Sequence, residues 1–340
     1  MKTSMEFITH AILAGANQEQ AEVRAASIRG EWRWWFRALG GTLKEEEALF
    51  GSIHAGRGAR RSRVVVQVPE APISTKKADL GDLGWKGQNH NIGYLLWPLR
   101  SQKRGYLEAG TTFTIQRHMR GRTSSEGLPD RSFEAMCNLG SLGTRSRRGF
   151  GSLLPNEDPP GSLIQFIIHV ENSLAEKTAD FHIMAIQPSH ETAFPSWEEA
   201  LSAAGLWLRS HRAGSDRGGS DLQPLAEKDH DFPYKAKSGD PVYRATLGLP
   251  LQQSYSSGGR WETSTKDNGK RWASPVRIKV IRANKGFVPL AILHKPHVME
   301  EGKKLVVAGP NGRKKEASVS HDLLKKMMGK YPTLSGSPLE

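Results

Sequence analysis

Apolar residues in Ser27–Gly41, SIRGEWRWWFRALGG, recur with the period of a helix, and Ile28, Trp32, Trp35, Phe36 and Leu39 gather on one face. The spacing predicts a core-anchored helix that Gly40 and Gly41 terminate. Ahead of it, Met5–Leu13 reads as a first strand and 14–26 as a polar connection bearing Asn17, Gln18 and Arg24. Behind it, Lys44–Phe50 makes a short helical turn closed by Gly51, and Val64–Val68 reads as a strand after a basic loop with Arg57, Arg60, Arg61 and Arg63. Phe113 and Ile115 alternate with polar residues, which predicts a half-buried strand over Thr111–Arg117. Asp130 is placed to cap a helix running to Leu139, Gly140 ends it, and the strongly apolar Leu163–Val170 reads as a further strand. Strand, helix, strand, strand, helix, strand is the split βαβ order. Between these elements Pro69–Gly110 is irregular, with Gly81, Gly84, Gly87 and Gly93 around Trp85 and Trp97, and reads as a projecting insertion of the kind that touches ligands.

The pattern weakens after Ser173. Phe181–Gln187 reads as a strand, and Ser196 with Glu199 forms a capping box ahead of a helix whose Trp197, Leu201, Ala204 and Leu208 share a face. Arg209–Pro241 and Gln252–Arg271 read as long polar loops on either side of a Val242–Leu249 strand. Pro275–Arg282 reads as a strand with Val276, Ile278 and Val280 inward and Arg277 and Lys279 outward; Phe287–Leu293 and Lys304–Ala308 read as strands, and His321–Met328 as a helix. The expected class is α+β: two ferredoxin-like domains, residues 1–172 and a degenerate 173–340, with long loop insertions.

Charge adds a partner class. Lys and Arg number 48 against 35 Asp and Glu, a formal charge of +13, which points to a polyanion. Cys137 is the one cysteine, so neither an intrachain disulfide nor a thiolate metal cluster can form, and a reducing cytoplasm fits. Glu6 and His10 interrupt the apolar start, which therefore reads as a strand rather than a leader, and no apolar run approaches the ~18 residues of a membrane span. No membrane partner and no cofactor are expected.

Two stretches carry candidate chemistry. Arg29, Arg33 and Arg37 fall at four-residue spacing on a stripe beside the aromatic face, either a salt-bridged solvent face or a rail of phosphate-binding forks. Leu139–Ser152, LGSLGTRSRRGFGS, sets Arg145, Arg147 and Arg148 among Gly140, Gly143, Gly149 and Gly151; it is either a flexible basic turn or a loop whose bare amides and guanidinium groups suit phosphate oxygens. Trp34, on a different helical face from Trp32 and Trp35, is a candidate to stack a base or meet a partner subunit. His10, His54 and His118 are nearest the basic elements, but each reads more readily as a packing or loop histidine than as a general acid or base. His294 and His297 lack a third ligand, so no metal is expected.

The run GANQ (Gly15–Gln18), SIRG, RWWFRAL (Arg33–Leu39), EEEALFGS (Glu45–Ser52) and GTRSRRGFGS resembles, in order through the first half, the Cmr first-subunit family of the RAMP superfamily. Members commonly have Pro at the position of His10 and often Gly at that of Ala14. The resemblance implies a non-catalytic subunit of a type III-B CRISPR effector. Such a subunit holds the backbone of the CRISPR RNA or target RNA toward the guide's 3′ end and caps the filament of neighbouring RAMP subunits. On this reading Asn17, Arg24, Arg29, Arg33, Trp34, Arg37, Gly143, Arg145, Arg147, Arg148, Gly149 and Gly151 contact RNA. A metal-independent guide-processing endoribonuclease and a purely protein-binding scaffold are the alternatives.

Overall fold

A computed structural model describes residues 1–54, 58–79, 91–99, 102–121, 127–157, 161–187, 189, 191–212, 224–255, 259–266 and 271–339. Arg57, Gly81, Gly84, Trp85 and Gly87 lie outside the described residues, as do parts of the two long loops expected after Arg209 and Gln252. The chain divides into two compact units: Met1–Ala179 with Gln187–Ala203 and Ile278–Leu290, and Asp180–Ile186 with Ala204–Arg277 and Ala291–Glu340.

In the first unit, strands β1 (Lys2–Phe7), β2 (Val64–Gln67), β3 (Thr112–Met119) and β4 (Leu153–Pro155) form one antiparallel sheet in the order β4-β1-β3-β2. Its helices are α1 (Ala25–Ala38), α2 (Leu43–Phe50), α3 (Asn91–Leu96), α4 (Leu128–Leu139) and α5 (Leu163–Leu174). Ile28, Trp32, Trp35 and Phe36 are fully buried, as the apolar period requires. Trp32 stands edge-on to Phe50 at 5.3 Å and to Phe133 at 5.0 Å, which locks α1 against α2 and α4. Beyond α1, Gly40 at φ +93° and Gly41 donate their amides to the carbonyls of Arg37 and Phe36, the paired bonds of a Schellman stop.

Several expectations give way here. Leu163–Val170 is helical: Ser162 and Gln165 form a capping box, and Leu163, Phe166, Ile167 and Val170 are buried while Ile164 and Ile168 face solvent. Two exposed isoleucines had hidden a 3.6-residue period inside an apolar run. The fourth strand is instead Leu153–Pro155, directly after the arginine-glycine loop. Asp130 does not cap α4, whose N-cap is Gly127; its carboxylate accepts from buried Arg117 at 2.5 Å, and that guanidinium lies 4.4 Å over Phe133. The first strand stops at Phe7, although Ile8, Thr9, Ala11, Ile12 and Leu13 stay buried.

The remaining elements are β5 (Phe181–Ala185), α6 (Trp197–Arg212), α7 (Pro224–Lys235), β6 (Leu251–Tyr255), β7 (Gly259–Thr265), β8 (Val276–Ala283), β9 (Gly286–His294), β10 (Lys304–Ala308), β11 (Lys314–Val319), α8 (Asp322–Met328) and β12 (Thr333–Gly336). One sheet runs β8-β9-β5-β12; a five-stranded sheet sets the short strand Pro241–Val242 beside β11, then β10, β7 and β6. Helix and hairpin occupy the stretches expected as loops, because Leu225, Ala226 and Phe232 on α7 and Trp261, Thr263 and Thr265 on β7 are buried. Val242–Leu249 is mostly a 3-10 turn rather than a strand: buried Asp229 accepts the amides of Tyr243 at 2.7 Å and Arg244 at 2.6 Å, as a helix cap does.

Strand β8 corrects a further expectation. Arg277 and Lys279 are not outward, being 7% and 0% exposed, because β8 is covered on both faces and alternation cannot be read from it. Among the described residues no helix is long and apolar enough to cross a membrane.

Candidate nucleic-acid interface

All of the candidate residues lie in the first unit, and the arginine-glycine loop sits between α4 and β4. Its shape is set by the segment that follows β1. The amide of Gly151 donates to the His10 carbonyl at 2.9 Å, that of Thr144 to Ile12 at 2.7 Å, and the Ile8 amide to Ser152 at 2.8 Å. Thr9 Oγ1 donates to the Gly149 carbonyl at 2.6 Å and accepts from the Ser152 amide at 3.1 Å. Gly143, at φ +97°, has the Ile12 carbonyl 2.6 Å from where a Cβ would stand; at Gly151, φ +62°, a Cβ would run into the Leu142 carbonyl. A Cβ on Gly149 would press on Leu201. The glycines therefore let the chain's own backbone close in, and the result is a fixed loop, not a flexible turn.

The three arginines of this loop differ. Arg148 is 8% exposed and its guanidinium donates to the Arg147 carbonyl at 3.2 Å, so it supports the loop from inside. Arg145 holds φ +66°, a left-handed conformation unusual for a side-chain-bearing residue, and its Nε donates to the Leu95 carbonyl at 2.6 Å. Arg147 is half-buried, and its carbonyl accepts the Ile278 amide at 3.1 Å.

Lys279 escaped the sequence reading. Its solvent-excluded ammonium donates to the carbonyl of Gly140 at 2.7 Å and to that of Leu153, the residues at the two ends of the loop. No spacing signals such a role, since Lys279 reads as an outward residue of an alternating strand.

On α1 the stripe is partly neutralised. Arg33 Nε lies 2.6 Å from Glu46 Oε1, and Arg37 reaches both oxygens of the same carboxylate at 2.6 and 2.7 Å. The Glu46 side chain is fully excluded from solvent. Burial alone would raise its pKa, but hydrogen bonds from Arg37 and Arg33 outweigh that and hold the carboxyl below the usual range. Two guanidinium groups on one carboxylate leave a single excess positive charge. Replacing Glu46 by Gln is expected to weaken the fold by roughly 2–4 kcal/mol while steepening the salt dependence of RNA binding by about 0.7 in slope. Urea titration and binding isotherms read the two effects separately.

The N-terminal end of α1 is different. Arg29 is half-buried and makes no hydrogen bond or ion pair among the described residues. Arg24 is the N-cap without a side-chain cap bond, no acidic residue occupies the first turn, and the nearest carboxylate partner, Glu22, stands 3.7 Å away. Helix dipole, Arg24 and Arg29 thus add with one sign, which suits an anion. Asn17 is exposed in a turn and accepts the Glu19 amide at 3.0 Å, and Trp34 is half-buried with its ring edge-on to Trp35 at 4.9 Å.

His10 packs between Tyr106 at 4.9 Å and Trp197 at 4.6 Å, and its Nδ1 accepts the Ala109 amide at 2.9 Å. Burial pushes its pKa down to about 4, against a raising influence of Glu108 and a lowering one of Lys76. The imidazole is therefore neutral near pH 7. Because the folded pKa lies below the unfolded value near 6.5, its stabilising contribution is complete above that value and falls away as pH drops toward 4. At pH 5 about 2 kcal/mol of it should be gone, seen as a larger drop in urea midpoint between pH 7 and 5 for the native chain than for His10→Asn.

Residues 4–153 match the model of the RAMP superfamily. Over 160 residues the chain is 36% identical to CRISPR system Cmr subunit Cmr1-1 of Pyrococcus furiosus, a stretch covering 43% of this chain and 44% of that one. Over 185 residues it is 29% identical to Cmr1-2 of the same organism, covering 44% of this chain and 91% of the relative. The first half of the chain thus resembles the RAMP superfamily and, within it, the Cmr first subunits. The match thus spans less than half the length of the first of these relatives. The crystal structure of Cmr1 from Pyrococcus furiosus in apo form shares the fold with a TM-score of 0.52 at 21% identity, over 86% of each chain. A chain in the cryo-EM structure of the type III-B Cmr-beta bound to cognate target RNA shares it with a TM-score of 0.50 at 13% identity, over 97% of this chain and 98% of that one. The RAMP match takes in most of β1, all of α1 and α4 and the whole arginine-glycine loop, so the candidate residues fall inside it.

Proposed function

We propose that this chain is a non-catalytic RNA-binding subunit of a type III-B Cmr effector, holding the ribose-phosphate backbone of CRISPR RNA or target RNA near the guide's 3′ end and capping the backbone filament. The observation that carries the reading is the rigid loop 140–152, pinned at both ends by Lys279 and presenting Arg145 and Arg147. The positive N-terminal end of α1, with Arg24 and Arg29, supplies the second group of contacts, and Asn17 and Trp34 are assigned to the same RNA surface. The excess charge shared by Arg33 and Arg37 extends the same stripe. In such an effector, base pairing reads sequence while the protein reads backbone and shape. Its partners are RNA and adjacent Cmr subunits, and its compartment is the cytoplasm.

The strand order supports a finer reading of the fold. In each of the two four-stranded sheets the fourth, first, third and second strands lie side by side in that sequence, so both are taken as ferredoxin-like, with the five-stranded sheet as an elaboration of the second. The non-catalytic assignment draws on His10, whose neutral, ring-sandwiched imidazole spends one nitrogen on a backbone amide. Purifying the tagged protein from its native cells and sequencing bound RNA tests the proposal. Guide RNAs sharing a repeat-derived segment are expected, together with other Cmr subunits; a preparation free of RNA, or site-specific cleavage of repeat RNA in chelator, would overturn it.

A further inference from the structure

Beyond α2 the chain carries arginines that the surface described so far leaves unused. A two-stranded ribbon, Ser52–His54 paired with Gly58–Arg60, leads from α2 toward β2, and Arg60 and Arg61 at its end are exposed. The base of the ribbon is fixed. The Arg63 amide donates to the Leu49 carbonyl at 2.9 Å, Ser62 Oγ donates to that of Val64 at 2.7 Å, and Gly51 at φ +79° lets the Arg60 carbonyl come within 2.6 Å of where a Cβ would stand. Just past β3, Arg120 is exposed beside this segment: its amide donates to the Arg63 carbonyl at 2.8 Å, and Arg63 Nε donates to the Arg120 carbonyl at 3.0 Å. Among the described residues the guanidinium groups of Arg60, Arg61 and Arg120 have no hydrogen bond or ion pair. Helix α2 sets this group next to the α1 stripe. Glu46, which gathers Arg33 and Arg37, and Leu49, whose carbonyl holds Arg63, lie just under one turn apart on that helix, about 4.5 Å along its axis.

We propose that Arg60, Arg61 and Arg120 extend the RNA surface past α2 and hold further phosphates of the strand already bound at α1 and the loop. The inference rests on that RNA-binding reading and deepens it by setting a longer footprint. Guanidinium groups gathered on a fixed base without carboxylates repel one another, and a polyanion laid across them removes the repulsion. Arginine suits phosphate in particular, since its planar fork presents paired donors to two oxygens. A single strand of RNA offers such oxygens at every nucleotide, so no base need be read. The exposed positions also make the test clean, because removing solvated side chains leaves the buried Leu49 and Val64 beneath them untouched.

Binding is measured for the full chain with fluorescein-labelled single-stranded RNAs of mixed sequence, one of about eight and one of about twenty nucleotides, across a salt series. The long RNA should show a slope of log Kd on log salt greater than that of the short one by about 2, the contribution of three added phosphates at about 0.7 each. Combining Arg60→Gln, Arg61→Gln and Arg120→Gln should remove that increment, about a fifteenfold change in the effect of raising salt from 50 to 200 mM, and leave the slope for the short RNA as it was. The corresponding triple Lys variant, which keeps the charges, should keep the increment. Equal slopes for the two RNAs in the native chain, or an unchanged increment in the Gln variant, would overturn the extension while leaving binding by α1 and the loop intact. Loss of the increment from the Lys variant as well would trace it to shape, and equal flattening for both lengths would place these arginines among the first contacts; either result also overturns it. Failure of the native chain to bind RNA of either length would overturn both this inference and the function on which it rests.

Discussion

Replacing Arg145 and Arg147 together by Ala is expected to flatten the salt dependence of RNA binding by about half. With roughly four phosphates engaged, log Kd of the native chain should change with log salt at a slope near 3 in magnitude, about a fiftyfold loss of affinity between 50 and 200 mM. Arg145 and Arg147 would account for two of the four, so the double variant should show a slope of about 1.5 across unrelated RNA sequences. Arg148 belongs outside this set. Its guanidinium is buried on the Arg147 carbonyl, so Arg148→Ala should act first on stability and only through it on binding. An unchanged slope in the double variant would remove the loop from the interface.

Lys279→Met should destabilise the fold chiefly through the loop. The substitution keeps the length of the side chain and removes a buried charge, which by itself is favourable. It also takes a donor from the carbonyls of Gly140 and Leu153 inside a dry region, and an orphaned carbonyl costs about 1–3 kcal/mol. Gly140 keeps a bond at 3.3 Å from the Leu153 amide, which offsets part of that cost. A net loss of roughly 2–4 kcal/mol is expected in urea unfolding, and faster amide exchange confined to residues 140–153 should accompany it. Uniform exchange throughout the first unit would indicate that Lys279 does not act on the loop in particular.

The aromatic helix was legible because its apolar positions are large, close in sequence and strictly periodic, and because Gly40 and Gly41 close it by a local hydrogen-bond pattern. The third strand was legible from the alternation of Phe113 and Ile115, whereas the fourth, expected at Leu163–Val170, is the short Leu153–Pro155 directly after the loop. The α5 segment was not legible, because Ile164 and Ile168 make its outer face as apolar as its inner one. Burial of a charge was equally invisible: nothing local distinguishes Lys279, which meets carbonyls more than a hundred residues away, from a solvated strand lysine. The same holds for Glu46. It lies in a run of three glutamates that reads as surface, yet it is the member that gathers Arg33 and Arg37. Of the arginines singled out, Arg33 and Arg37 share the Glu46 carboxylate, Arg148 is buried on the Arg147 carbonyl, and Arg145 donates to the carbonyl of Leu95.

The central claim is that one RNA strand meets both the N-terminal end of α1 and the loop 140–152. Photocrosslinking the native ribonucleoprotein with 4-thiouridine-substituted RNA, followed by peptide mapping, tests it most directly. RNA adducts on peptides spanning Arg24–Arg37 and Thr144–Arg148 are expected from the same bound RNA. Adducts confined to the second unit, or both arginine segments crosslinking only to acidic peptides of neighbouring subunits, would contradict it.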